Sequence, residues 1–126
     1  MTDKLHVPDE RSLSREEVSL LEWLLGHGRP DASQYLPQIP KLRVVTKCGC
    51  GCPTVDFALG GDRKDGPSRI IADGEGTSPE GVRVGVCVHV REGEISELEV
   101  YSCYGEANFR LPEIASLIMW PDGSNG

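Results

Sequence analysis

The residues best suited to chemistry in this chain are three cysteines in the run of residues 47–53. Cys48, Cys50 and Cys52 are separated by single glycines, and Pro53 closes the run. In an extended backbone this spacing would place all three thiols on one side, because side chains alternate across a strand. The glycines also permit a tight bend, in which the thiols can instead converge on one point.

A metal site is one chemistry open to these cysteines. A tetrahedral zinc site needs four donors, so a fourth ligand must come from another part of the chain. Cys87 and His89 are the natural candidates, because their period-two spacing puts them on one face of a predicted strand. The alternative reading is therefore a zinc site built from Cys50, Cys52, Cys87 and His89.

The spacing of the cysteines argues against zinc. Structural zinc sites usually separate their cysteines by two to four residues, whereas Cys-x-Cys makes a strained chelate. Gly49 and Gly51 are then explained by the backbone of a tight turn, and the thiols by small side chains filling it. On this reasoning we expect no cofactor and no stoichiometric zinc in the purified protein.

Thiol redox chemistry and nucleophilic catalysis have less support. The usual Cys-x-x-Cys pair is missing from the sequence, and no predicted helix begins after Cys52 to lower a thiol pKa. Cys50 or Cys52 with His89 or His27 would give a nucleophile and a base, but no orienting acid or motif accompanies them. We assign no catalytic or cofactor-binding residue. The sequence leaves open whether the chain is an enzyme and favours a non-enzymatic protein.

Composition narrows the class of protein. A chain of 126 residues is the size of one domain, and its net charge is −7 with the basic residues scattered singly. This argues against a nucleic-acid or anionic-membrane surface, where Lys and Arg cluster. Residues 1–11 lack the apolar run of a signal peptide, so we expect a cytoplasmic protein with reduced thiols. Any binding partner is expected to be a protein. The chain itself is expected to be a monomer or a weak homodimer.

The elements that must position the cysteines are one helix and several strands. Ser14 and Glu17 form a capping box before leucines at helical spacing, which predicts an amphipathic helix over residues 15–25. Apolar residues at period two predict strands over residues 42–48, 55–59, 68–72, 82–90 and 95–102. The glycine-rich residues 73–81 predict a loop, and Pro112 predicts a short helix through Ile118.

Together these elements predict an α+β fold: an antiparallel meander of about five strands, with the N-terminal helix on one face and a short C-terminal helix. We expect a flexible lead-in over residues 1–11, a single domain over 12–120 and a frayed tail over 121–126. Residues 82–90 should be a central strand whose valines face the helix. The predicted core is Val18, Leu21, Leu24, Leu25, Leu42, Val44, Val55, Phe57, Val84, Val86, Val88, Leu98 and Val100.

Two strand details bear on the cysteines. Strict alternation places Leu42, Val44, Thr46 and Cys48 on one face of their strand, and the cysteine run becomes the turn of an antiparallel hairpin. In the last strand, Ile95 is out of phase with Leu98, which predicts a bulge near residues 96–97.

Three segments of the chain resemble a family of small uncharacterised bacterial proteins, a domain of unknown function. They are LSREEVSLLEWLL, YLPQIPKLRVVTKCGCGCPTVDF with its Cys-Gly-Cys-Pro core, and ISELEVYSCYGE. The resemblance covers most of the chain and implies no activity. Some small proteins of similar layout serve as immunity or interaction partners in bacterial toxin systems. With the acidic composition, it favours a non-enzymatic interaction or regulatory protein.

Overall fold

The computed structural model describes residues 6–105 and 108–120 and builds them around one seven-stranded antiparallel sheet. Its order is β1-β2-β3-β6-β5-β4-β7. One α-helix, α1 (Arg15–His27), and two 3₁₀ segments, Ala32–Lys41 and Ile114–Ser116, complete the secondary structure of this part of the chain. The strands are β1 (His6–Ser12), β2 (Arg43–Cys48), β3 (Val55–Ala58), β4 (Ser68–Thr77), β5 (Arg83–Arg91), β6 (Glu94–Ser102) and β7 (Ile118–Met119).

The predicted architecture, a five-stranded meander with an N-terminal and a C-terminal helix, is wrong. The sheet has seven strands, and β1 precedes α1. The sheet is no simple meander either, because β3 pairs with β6 rather than with β4. Such long-range pairings depend on the packing of the whole chain, and local alternation does not encode them. The predicted lead-in overlaps β1, while residues 1–5 and the predicted tail, 121–126, lie outside the described residues.

The predicted loop over residues 73–81 is mostly strand, because β4 runs on to Thr77. Its glycines make room for another segment instead of breaking the strand. A Cβ on Gly74 would lie 2.4 Å from the carbonyl oxygen of Ile118, so only glycine lets β7 approach this closely. A glycine that admits a neighbouring strand and one that marks a turn look alike in sequence.

The predicted helix over residues 112–118 is replaced by the short 3₁₀ segment Ile114–Ser116 and then β7. Its polar groups bond to β4: the Glu113 amide donates to the Thr77 carbonyl (2.9 Å), and the Thr77 amide donates to Ser116 Oγ (2.8 Å). Hydrogen bonds to the neighbouring strand thus take the place of helical ones.

The N-terminus of α1 confirms the predicted capping box. The Glu17 amide donates to Ser14 Oγ (3.1 Å), and the Ser14 amide donates to Glu17 Oε1 (2.8 Å). The Arg11 guanidinium then bonds both Glu17 carboxylate oxygens at 2.9 Å, which ties β1 to the start of the helix.

The core lies between α1, the 3₁₀ segment Ala32–Lys41 and one face of the sheet. Every residue of the predicted core is buried except Val18, which is half-buried and packs against it. Val84, Val86 and Val88 of β5 are fully buried in the same core as the leucines of α1, whereas Val82 precedes the strand and is half-buried. The predicted bulge in β6 is also present, because His89 pairs with Glu97 while Val90 pairs with Ile95.

The predicted alternation along β2 is wrong after Val44, and this determines where the cysteines lie. Val44 pairs with Phe57 and is buried in the core, but Thr46, two residues on, pairs with Asp56, one residue back. A bulge between them shifts the phase. Thr46 therefore faces the side of the sheet away from α1, and the strand enters the cysteine run on that side.

No helix among the described residues is both long enough and apolar enough to cross a membrane.

We predict that Glu17 makes stability depend on pH below neutrality. Burial opposes its ionisation, but the hydrogen bonds from Arg11 and Ser14 outweigh burial and hold the pKa of Glu17 below its ordinary 4.5. Since folding lowers this pKa, the ionised carboxylate stabilises the fold above pH 4.5, and the contribution is lost as the pH falls. Glu17→Gln should lower the free energy of unfolding by about 1–3 kcal/mol at pH 7 and by less at pH 3.

The matched control for this measurement is Glu16→Gln, because Glu16 also lies in the first turn of α1 but is exposed. Denaturant unfolding of this variant should change by no more than about 0.5 kcal/mol. Equal effects of the two substitutions at pH 7 would show that the partly buried Arg11–Glu17 pair does not stabilise the fold.

Candidate functional site

The face of the sheet away from α1 carries chemically reactive side chains, and we call it the polar face. In β5 and β6 these side chains alternate with the core valines and leucines, as strand geometry requires. Several of the groups are withdrawn from solvent: Asp56 and Cys87 are buried, and His89, Glu97 and Glu99 are partly so. The residues of the polar face that concern the site are Thr46, Asp56, Cys87, His89, Glu97, Glu99 and Tyr101.

The cysteine run forms the turn between β2 and β3, as predicted, and its three thiols converge. The Sγ atoms of Cys48, Cys50 and Cys52 all lie within 4.8 Å of one another. Cys50 Sγ and Cys52 Sγ are 3.1 Å apart. Backbone amides point at the sulfurs: the amide of Cys50 donates to Cys48 Sγ and that of Cys52 donates to Cys50 Sγ, both at 3.4 Å. All three are free cysteines, and Cys50 is exposed.

The backbone of the turn depends on Gly51. Its φ is +98°, in the left-handed region that favours glycine, and its amide donates to the Cys48 carbonyl at 3.4 Å. The Cys48 amide in turn donates to the Thr54 carbonyl at 3.1 Å. The positive φ agrees with the expected backbone role of Gly51, whereas Gly49, which was expected to share that role, does not have a positive φ. The same bend gathers the thiols, so the backbone role does not exclude a role for the cysteines.

The thiols of the turn differ in acidity. Burial, followed by the contact with Cys50, raises the pKa of Cys48 to about 12. Burial also opposes ionisation of Cys50, but hydrogen bonds from the Cys48 thiol and the Cys52 amide outweigh it and lower the pKa of Cys50. These hydrogen bonds therefore favour a negative charge on Cys50 over one on Cys48.

A pocket of about 240 Å³ opens beside the turn, on the polar face. Its wall brings two of the thiols together with three acidic side chains and a histidine. Burial raises the pKa of Glu97, and the nearby Asp56 adds to that effect. The lining residues are His6, Cys48, Cys52, Thr54, Asp56, Glu97, Glu99, Val100 and Tyr101.

Asp56 is the most buried acidic group of this pocket, with 2 % of its surface exposed. Its Oδ2 atom accepts a hydrogen bond from Thr46 Oγ1 (2.6 Å) and lies 3.0 Å from His6 Nδ1 and 3.3 Å from Arg63 Nη1. Its Oδ1 atom is buried and has no hydrogen-bond partner among the described residues.

Cys87 and His89 belong to a second group, with Glu99. The ligand atoms of these three residues lie within 4.8 Å of one another, and His89 Nε2 is 2.8 Å from Glu99 Oε1. The hydrogen bond to His89 lowers the pKa of Glu99. Burial, with the charge of Glu99, raises the pKa of Cys87 to about 12. In this group the His89 ring is hydrogen-bonded to Glu99, and the buried Cys87 thiol lies beside them.

The four residues of the predicted zinc site therefore fall into two groups: Cys50 and Cys52 lie in the turn with Cys48, and Cys87 and His89 lie on β5 with Glu99. Glu99 lines the pocket beside the turn and so links the two groups. Sequence reasoning missed His6 and Asp56. Asp56 carried one usable signal, a lone acid between the apolar Val55 and Phe57 of a strand.

Comparison with protein-family models, with curated proteins and with solved structures gave no match. The resemblance to a family of small bacterial proteins stays a prediction.

We predict that Gly51→Ala destabilises the fold by about 1 kcal/mol or more, because alanine is strained at positive φ. The added Cβ would meet no atom within 4 Å, so the effect would come from the backbone alone. Gly26→Ala is the matched control, since Gly26 lies in α1 with the same open surroundings. There alanine should stabilise by up to about 1 kcal/mol. Denaturant unfolding that shows Gly51→Ala to be neutral would contradict the strained turn.

Proposed function

We propose that this chain is a metal-binding protein whose Cys48–Cys50–Cys52 turn holds one zinc ion or a similar thiophilic cation. The observation that carries the proposal is the convergence of the three Sγ atoms to within 4.8 Å. A tetrahedral zinc ion with Zn–S bonds of about 2.3 Å holds its sulfurs about 3.8 Å apart. The turn therefore needs only a small adjustment to bind the ion. This reverses the cofactor-free expectation, which relied on spacing alone.

The electrostatics of the site support the same proposal. The pocket beside the turn is lined by the carboxyl groups of Asp56, Glu97 and Glu99 as well as by two thiols, and both kinds of group are donors that zinc accepts. The two backbone amides that point at Cys48 Sγ and Cys50 Sγ would stabilise thiolates without competing for the metal.

The three cysteines leave one position of a tetrahedral zinc ion to fill; a fourth protein ligand there would make the site structural, since catalytic zinc keeps an open position for water or substrate. That agrees with the preference for a non-enzymatic protein. The interaction or regulatory role, including the immunity-like one, stays a prediction. A metal bound at the turn would support such a role by fixing the surface around the turn.

The competing chemistry is oxidation of Cys50 and Cys52 to a disulfide, in which two protons and two electrons pass to an oxidant.

Metal titration of the reduced protein tests the proposal. We expect one zinc or cobalt ion per chain, a sulfur-to-cobalt charge-transfer band, and protection of the three thiols from alkylation until a chelator is added. Cys50→Ser should weaken zinc binding by more than about 100-fold. Loss of a residue that only hydrogen-bonds to a metal ligand already lowers metal affinity about 10- to 100-fold, and Cys50 would be a ligand itself.

Two cysteine variants are the controls. Cys103→Ser should leave the affinity unchanged, because Cys103 is an exposed cysteine outside the turn. Cys87→Ser should also keep one metal per chain, because Cys87 lies outside the turn. It would lose metal if the zinc site predicted from sequence, which includes Cys87, were the real one. Failure of the reduced wild type to bind metal, or a disulfide that forms in place of binding, would overturn the proposal.

A further inference from the structure

We propose that His6 supplies the fourth ligand of the cysteine turn, and that metal binding thereby fastens the edge strand β1 to the sheet. This inference rests on the metal site proposed above. It adds a residue that spacing along the chain does not connect with the cysteines, and it gives the metal a regulatory effect on the N-terminal strand.

The sheet register brings His6 to the turn. His6 of β1 is the direct cross-strand partner of Cys48 of β2. Directly opposed residues in an antiparallel pair have their Cβ atoms about 4.5–5.5 Å apart on the same face. His6, Cys48 and Cys52 also line the same pocket. The histidine thus approaches the turn on the side where the pocket is acidic.

The surroundings of His6 match those of a zinc-bound histidine. Its Nδ1 atom lies 3.0 Å from Asp56 Oδ2, which leaves Nε2 as the ring nitrogen for a metal. Metal-bound histidines almost always donate their other ring nitrogen to a carboxylate, a carbonyl or water, which fixes the tautomer and the ring orientation. Thr46 holds that carboxyl in place with a hydrogen bond of 2.6 Å.

A second observation points to a ligand at this place. Asp56 is 2 % exposed, lines the pocket, and has an Oδ1 atom without a hydrogen-bond partner in the described part of the chain. Burial of an unsatisfied carboxyl oxygen is costly, and a cation coordinated by the neighbouring histidine would offset part of that cost. The alternative histidine, His89, is held by Glu99 at 2.8 Å in the other group.

The consequence for the fold concerns β1. Among residues 6–105 and 108–120 this strand is at the edge of the sheet and pairs with β2 alone, and its register shifts between Pro8 and Arg11. At the C-terminal end of β1, Arg11 is held by its hydrogen bonds to Glu17. At the N-terminal end, which we call the near end, the side-chain contact is the one between His6 and Asp56. A metal joined to both His6 and Cys48 would cross-link β1 to β2 at the near end. Metal-free protein should therefore open there more often.

The test compares wild type with His6→Ala in the full chain, with zinc and cobalt as the probes. His6 is a safe position to change, because its side chain is 44 % exposed. His6→Ala should keep one metal per chain but bind zinc at least about 10-fold more weakly, and the cobalt ligand-field bands should shift. Zinc should slow amide exchange in residues 6–9 of wild type at least about 10-fold and leave exchange in His6→Ala unchanged.

Two further variants make the result specific. His27→Ala removes an exposed histidine at the end of α1 and should leave zinc affinity unchanged. Asp56→Asn should weaken zinc binding about 10- to 100-fold while the sulfur-to-cobalt band is retained. Equal zinc affinity and equal exchange in wild type and His6→Ala would overturn the role of His6 and leave the cysteine site intact. Absence of metal binding in every variant would overturn both proposals.

Discussion

The carboxyl group of Asp56 is the constraint on which the polar face depends, because three separate segments meet at it. Thr46 of β2, His6 of β1 and Arg63 of the loop after β3 all place a polar atom within 3.3 Å of Oδ2. A buried carboxyl requires such partners, so the fold must bring these segments together. The bulge in β2 follows from this requirement: without it, Thr46 would face the core and could not reach Asp56.

The parts of the fold that were predictable from sequence are those with local causes. The capping box and the leucine spacing specify α1, and four alternating valines specify β5. β7 has two residues and β1 is a mostly polar edge strand, so neither shows the alternation that reveals a strand. The pairing of β3 with β6 joins segments that are far apart in sequence and has no local signature.

The candidate site was predictable only where it is contiguous in sequence. The three cysteines are visible as a cluster because one turn contains them all. Their partners are not visible, because the bulge after Val44 and the register of β1 with β2 decide which residues face the turn. Simple alternation selected Cys87 and His89 as partners, but the folded sheet gives those residues Glu99 instead. A one-residue shift in a strand thus changes the set of available ligands.

X-ray absorption at the zinc edge counts the donor atoms around the metal and so shows whether the thiols of the turn bind it. For reduced protein loaded with one equivalent of zinc, we expect three sulfur neighbours at about 2.3 Å and one nitrogen at about 2.0–2.1 Å. A shell composed of oxygen and nitrogen alone would contradict this expectation, because the converging thiols of Cys48, Cys50 and Cys52 would then not be the metal ligands.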